Sequence, residues 1–388
     1  MGLDVELHLP PDIQVGGGVS ERAGESAKGL GLTRVLVVTD PVMVDSGVAG
    51  RIADALGSAG IATATFSDIS GEPTTDYVDA GVAALREHEA DGVVAVGGGS
   101  PLDTAKAISV MATNEGPLPE YLGYHKIPKP GVPLIAVPTT AGTGSEVTRV
   151  TVITDTSRDV KMMILSNHLM PQVALADYKL TLSCPPGLTA NVGVDSLTHA
   201  IESYVSAKAN PVTDLLALKA AALIGQNLRR AQRDGGDEEA REALMLGAML
   251  AGAAFSNASV ALVHGMSRPI GAHFHVPHGL SNAVLLPTIT RWSIDGAKER
   301  YATIARQMGL ASGHASDDEA TAKLVDELDA LNADLSVPRL GELQGDEREH
   351  FDRVKADMAD AALASGSPGF NPRVPEAQDI VALYDEAW

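Results

Sequence analysis

The chain has 388 residues, of which 50 are acidic and 29 basic, for a formal net charge of −21; such a surface repels phosphate backbones and anionic lipid, so nucleic-acid and membrane partners are not expected. A hydrophobic fraction of 45% with 20% charged residues describes a globular protein long enough for two domains, not a disordered or fibrous chain. The single cysteine, Cys184, excludes an internal disulfide, and the opening M-G-L-D-V-E-L-H-L-P has neither the basic region nor the apolar core of a secretion signal, so the cytoplasm is the expected location.

From Arg34 the β-branched run R-V-L-V-V-T-D reads as a buried parallel strand, and G-V-A-G-R-I-A-D-A-L after it as a helix. Ile61 to Asp68 gives a second strand, D-Y-V-D-A-G-V-A-A-L-R-E-H a second helix, and D-G-V-V-A-V-G-G-G-S a third strand ending in glycines. This alternation predicts a doubly wound, Rossmann-like parallel sheet. The G-x-G-x-x-G fingerprint is absent after the first strand, and Gly97, Gly98, Gly99 and Ser100 take its place before the helix P-L-D-T-A-K-A-I-S-V-M, with Pro101 suited to a first turn. Glycines let the backbone approach a pyrophosphate, and the helix N-terminus offers unpaired N–H groups; the alternative is a tight turn without a ligand. Asp40, at the end of the first strand, is placed to accept hydrogen bonds from an adenosine ribose and to repel a 2′-phosphate, predicting NAD(H) over NADP(H); otherwise it serves a turn before Pro41. The strand P-L-I-A-V-P-T-T leads into the loop A-G-T-G-S-E-V-T, whose hydroxyls and glycines suit either a polar cofactor or a hairpin, and T-R-V-T-V-I-T-D reads as a further strand.

From Pro185 the pattern turns helical. The expected division is a dinucleotide-binding α/β domain over 1–184 and an all-helical metal-binding domain over 185–388. Ala243 to Val263 lacks any charge and is long enough to span a bilayer, but its Ala/Gly content, its Ser256, Asn257 and Ser259, and its continuation into His264 predict one buried central helix. R-R-A-Q-R-D-G-G-D-E-E-A-R-E reads as a charged connection, and the segments beginning at Asp295 and Asp317 as amphipathic surface helices.

His264 to Pro287 holds four of the chain's eleven histidines, punctuated by Pro269, Gly271, Pro277 and Gly279 into helix, turn and helix start. Clustered imidazoles in an apolar setting point to a metal or proton-transfer site; the alternative is four unrelated surface histidines. Upstream, Asp195 and His199 stand four apart, on one face of a helix.

The motifs G-G-G-S-P-L-D-T-A-K, P-T-T-A-G-T-G-S-E-V-T, D-S-L-T-H-A-I-E-S-Y and H-G-M-x-x-P-x-G-x-x-x-x-x-P-H-G occur in this order across nearly the whole chain. The sequence resembles the iron-dependent (group III) alcohol dehydrogenases. The resemblance implies a dehydroquinate synthase-like architecture and a metal held by Asp195, His199, His264 and His278. It also implies NAD(H) contacts from the glycine turn with Asp103 and Lys106 at the family spacing, from Thr139, Thr140 and Thr143, and from Lys161 at the ribose. Four protein ligands plus substrate favour Fe(II), with Zn(II) or Mn(II) as alternatives, acting as a Lewis acid on the oxygen of a small alcohol or aldehyde. One departure stands out: family members with H-G-M-x-H carry a proton-passing histidine where this chain has Arg268. An arginine stays charged and cannot shuttle a proton, so His275 or His273 is the candidate replacement, each otherwise a surface residue or one that supports the ligands from behind. Arg268 is expected either to bind an acidic group on the substrate or to pair with a carboxylate or the cofactor phosphates. Alternative readings are a polyol-phosphate (glycerol-1-phosphate-like) dehydrogenase or a dehydroquinate synthase-like lyase on the same fold, or a non-catalytic metal or nucleotide binder. A homodimer or higher homo-oligomer is expected.

Overall fold

The valine-rich runs of the first half become strands buried on both faces. In the computed structural model, which describes residues 5–158, 160–343 and 348–388, the strands are β1 (Asp12–Val15), β2 (Arg34–Val38), β3 (Ala62–Phe66), β4 (Gly92–Gly97), β5 (Gly123–Tyr124), β6 (Leu134–Pro138), β7 (Val150–Asp155), β8 (Val160–Leu165) and β9 (Val173–Ala176). Six of them form one parallel sheet in the order β1-β9-β6-β4-β2-β3. The helices interleaved with them are α1 (Ala23–Gly29), α2 (Pro41–Asp45), α3 (Val48–Ser58), α4 (Thr75–Glu87) and α5 (Gly99–Met111).

Side-chain alternation divides the core in two. Leu36, Val38, Val93, Ala95 and Leu134 pack with Val78 and Val82 of α4 and Leu102 and Ile108 of α5. On the other face Val35, Val37, Val94, Val96 and Ile135 pack with Ala23 and Ala27 of α1 and Ile52 and Leu56 of α3. The chain therefore leaves the neighbouring strands β2 and β4 toward opposite faces, which opens a crevice beyond their carboxyl ends, the usual ligand position in such sheets. A smaller sheet, β5-β8-β7, carries the predicted T-R-V-T-V-I-T-D strand as β7, antiparallel to β8. The outer strand β1 and its neighbour β9 have no counterpart in the sequence reading.

The chain separates into two units, His8–Ser183 and Cys184–Trp388, and the described residues before His8 group with the second. That second unit is helical: α6 (Pro186–Val205), α7 (Pro211–Arg233), α8 (Glu238–Asn257), α9 (Leu262–Phe274), α10 (His278–Ser293), α11 (Lys298–Gln307), α12 (Asp317–Asp334), α13 (Leu340–Leu343), α14 (Arg348–Ala364) and α15 (Ala377–Ala387). α6, α7 and α8 pack mutually, and α10 lies against α6 and α9. Two expectations need correction. The uncharged run Ala243 to Val263 is not one helix: it ends as α8 at Asn257 and resumes as α9 after a bend of 101°. The run also carries its polar acceptor from elsewhere, because the Glu202 carboxylate of α6 receives the N–H groups of Val263 and His264. The charged connection after Arg229 is largely helix as well, with Asp237 capping α8 through the Ala240 N–H. Among the described residues no single helix is long and apolar enough to cross a membrane.

Candidate metal centre and glycine turn

Helix α6 organises the candidate metal centre, because Asp195, His199 and Glu202 recur at i, i+4 and i+7 on one face, all three buried. His264, near the start of α9, and His278, the first residue of α10, come to this face from the two following helices. Gly279 makes the approach of α10 possible: a Cβ there would lie 2.6 Å from the carbonyl oxygen of Asn191 and 3.4 Å from the Asp195 Cβ. Asp195 Oδ1 is the point of convergence, 3.6 Å from His264 Nε2 and 3.9 Å from the Nε2 atoms of His199 and His278. Atoms bound about 2.1 Å from one ion stand roughly 3.4–4 Å apart, so these separations suit donors to a common cation. The donor atoms of Asp195, His199 and His264 all lie within 4.8 Å of one another. His278, with 37% of its side chain exposed, forms the open side.

The charges are arranged for a cation. Burial alone would raise the Asp195 carboxyl, but the three imidazoles hold it far below the usual carboxylate range. Burial alone would lower His264, yet the Glu202 and Asp195 carboxylates lift it to about 8. The His199 ring is clamped between Phe255 and His264, with centroids at 4.4 and 4.5 Å. Two residues of the centre were missed in the sequence. Glu202 meets His264 Nδ1 at 2.5 Å, and Asn282 donates from Nδ2 to Asp195 Oδ1 at 2.6 Å while lying 3.2 Å from both His264 Nε2 and His278 Nε2. The signal was present, since Glu202 is seven residues after Asp195 and Asn282 four after His278, both helical same-face spacings. The Asn282 Oδ1 atom is buried without a partner, a polar orphan of the kind that functional sites retain.

The flanking residues divide. Arg268, one turn beyond His264, donates to the Ser367 hydroxyl at 3.2 Å, and Gly265 packs against Pro368 of the same segment. His275 ends α9 in the left-handed conformation, at φ 55°, with its side chain exposed, and His273 is exposed too. Neither is brought to the Asp195 cluster.

In the α/β unit, β4 delivers the glycine turn. Gly97 has φ 150°, and a Cβ there would meet Pro101 at 2.6 Å and Asp40 Oδ2 at 3.2 Å, which puts Asp40 beside the turn across the β2–β4 crevice. Asp40 also caps α2 by accepting the Met43 N–H at Oδ1, so the turn-forming alternative holds for one of its oxygens. Gly98 and Gly99 face Thr140 and Thr143 at 3.4 and 2.9 Å from their virtual Cβ positions. The N-cap of α5 is Gly98, which offers no side-chain acceptor to the first N–H groups of the helix. Thr139 continues β6, donating its N–H to the Gly97 carbonyl.

Asp103, expected at the cofactor, also has a structural engagement. Its two carboxylate oxygens receive the Ser145 hydroxyl and the Val152 N–H, which tie α5 to the following loop and to β7. Lys106 is fully buried and donates to Ser145, Thr148 and the Val150 carbonyl; burial lowers its pKa to about 8. Burial likewise raises Glu146 to about 7. Lys161 lies on β8 and pairs with Glu72 at 3.0 Å.

Residues 10–178 match the family of iron-containing alcohol dehydrogenases, and residues 189–388 match the C-terminal domain of the same family. The chain belongs to the iron-containing alcohol dehydrogenases. Among curated members it is 39% identical over 370 residues to the lactaldehyde reductase of Escherichia coli strain K12, covering 94% of each chain. Its fold superposes on a crystal structure of 1,3-propanediol oxidoreductase with a TM-score of 0.96 at 37% identity, over the full length of both chains. A sulfoacetaldehyde reductase from Bifidobacterium kashiwanohense, solved with NAD+, gives a TM-score of 0.88 at 30% identity, covering 100% of this chain and 99% of that one. The buried carboxylate and imidazole donors fit the iron for which the family is named.

Proposed function

We propose that the chain reduces a small aldehyde bearing an acidic group to the alcohol, or runs the reverse reaction, with NAD(H) and Fe(II). The observation that carries the reading is the convergence of His199, His264 and His278 on Asp195 Oδ1 in a cluster that is buried except at His278. Asp195, His199, His264 and His278 would hold iron there, which would supply Lewis acidity to the substrate oxygen, with Zn(II) or Mn(II) as competing occupants. Asp195 would contribute the one anionic ligand and the three imidazoles would enter neutral, while the stacked Phe255 holds the His199 ring. Gly97, Gly98, Gly99 and Ser100 would receive the pyrophosphate on the open N-terminus of α5, flanked by Thr140 and Thr143, with Thr139 and Asp103 holding the turn in place. Asp40 Oδ2 would accept from the adenosine ribose, which favours NAD(H), and Lys161 would reach a ribose hydroxyl on leaving Glu72.

Arg268 supports the acidic substrate. Its helix register places it one turn from His264, and Ser367 steadies its guanidinium, a fork that binds a carboxylate or sulfonate in two-point fashion. The sulfoacetaldehyde reductase among the solved relatives is named for an aldehyde of that chemistry. His275, solvent-exposed beyond α9, would relay a proton only through water. The reading includes a cytoplasmic homodimer or higher homo-oligomer, measurable by light scattering.

The test is NADH oxidation over paired aldehydes with and without a terminal carboxylate. One charge-assisted bond to Arg268 contributes about 1.5–3 kcal/mol, so the acidic member should lead by roughly tenfold or more in kcat/KM, and Arg268→Met should abolish the lead. A wild-type preference for neutral aliphatic aldehydes would remove the acidic-substrate proposal and leave the dehydrogenase reading intact.

A further inference from the structure

We infer that Glu202 is a positioning residue of the metal centre: one buried carboxylate sets both where α9 begins and how His264 is aimed. The inference rests on the metal-centre reading above. Glu202 is 3% exposed and lies on the α6 face that carries Asp195 and His199. Its Oε1 accepts the Val263 N–H at 2.5 Å and the His264 N–H at 3.4 Å, while its Oε2 meets His264 Nδ1 at 2.5 Å.

The two contacts have separate consequences. α9 begins after Ala261, which has no side chain to cap it, directly past the bend that ends α8. The first N–H groups of a buried helix need an acceptor, and Glu202 provides it from a neighbouring helix. A carboxylate is an acceptor only, so the contact at Nδ1 requires His264 to carry its proton there. In the neutral ring that binds a metal, the lone pair is then on Nε2, the atom directed at Asp195 Oδ1 from 3.6 Å. Because His264 is itself one of the capped residues, a shift of α9 along its axis would change the backbone contacts and the ring contact together. A carboxylate behind a ligating imidazole fixes the ring and raises its donor strength, and loss of such a partner lowers metal affinity roughly 10–100-fold.

Glu202→Gln separates this role from plain capping. The amide oxygen can still receive either the backbone N–H groups or Nδ1–H, but its NH2 group then opposes the other donor. The probe is Co(II) added to metal-stripped full-length protein, read by chelator competition and by its visible d–d bands. The expected result is Co(II) binding weakened roughly 10–100-fold with shifted bands. Unchanged affinity and bands, with only a lower melting temperature, would overturn the inference and leave Glu202 a helix cap. Wild-type protein that fails to take up Co(II) would instead overturn the metal-centre reading. If the variant does not fold, nitrogen NMR of the metal-free wild-type histidines above about pH 9, where the His264 ring is neutral, decides: His264 protonated at Nδ1, with that proton far downfield, sustains the inference, and protonation at Nε2 alone ends it.

Discussion

Glu146→Gln should stabilise the α/β unit at neutral pH and do little in mild acid. Glu146 is 2% exposed on the loop after β6, and the cation that acts on it, Lys106, has its ammonium engaged by Ser145, Thr148 and the Val150 carbonyl. Burial raises the carboxyl from 4.5 to about 7, so between those values the folded chain holds a proton that the unfolded chain has released. Stability from this group is therefore complete below pH 4.5 and is lost as the pH rises through 7, a loss of about 3 kcal/mol at roughly 1.4 kcal/mol per pH unit. A glutamine at this position does not ionise. The variant's advantage should be smallest at pH 4.5 and grow to about 3 kcal/mol by pH 7.5. Lys106, lowered from 10.5 to about 8, titrates above this window and with the opposite sign, returning stability as pH rises beyond 8. Both tryptophans, Trp292 and Trp388, lie in the helical unit, so the assay is urea-dependent hydrogen exchange of the α5 and β7 segments at several pH values. A gap between variant and wild type that does not change from pH 4.5 to 7.5 would refute the reasoning.

Other consequences follow from the two sites. Gly99→Val places a branched side chain where a Cβ alone would stand 2.9 Å from Thr143, so the KM for NADH should rise at least roughly tenfold while iron content stays at the wild-type level. Asp40→Gly should narrow the NADH preference over NADPH in kcat/KM, and loss of the α2 cap should cost a few tenths of a kcal/mol to about 1 kcal/mol by urea melts. Asn282→Ala removes the amide that braces Asp195 Oδ1, and equilibrium dialysis should show weaker Fe(II) binding with little change in NADH affinity.

What was legible in the sequence was local. The strands β2, β3, β4, β6 and β7 announce themselves as β-branched runs, and the glycine turn sits where β4 hands over to α5. β1 and β9 are only four residues each, too short for a periodic signal, and become strands because the sheet edge offers them partners. Asp195, His199, His264 and His278 stood out because helical spacing and motif agree. The break between α8 and α9 did not, because its acceptor, Glu202, comes from α6, about 60 residues away in sequence. The bracing role of Asp103 was hidden for the same reason: Ser145 and Val152, which donate to its oxygens, lie 42 and 49 residues downstream.

The central claim is that turnover requires a cation held by Asp195, His199, His264 and His278. Its most direct test is NADH oxidation with an aldehyde while metal-stripped protein is titrated with Fe(II) under anaerobic conditions, for the wild type and for His264→Ala. The account predicts no turnover without metal, a rate that climbs with bound iron to saturation at a single ion per chain, and neither retention of iron nor turnover in the variant. Full activity of the metal-free wild type, or of His264→Ala with an empty centre, would contradict it.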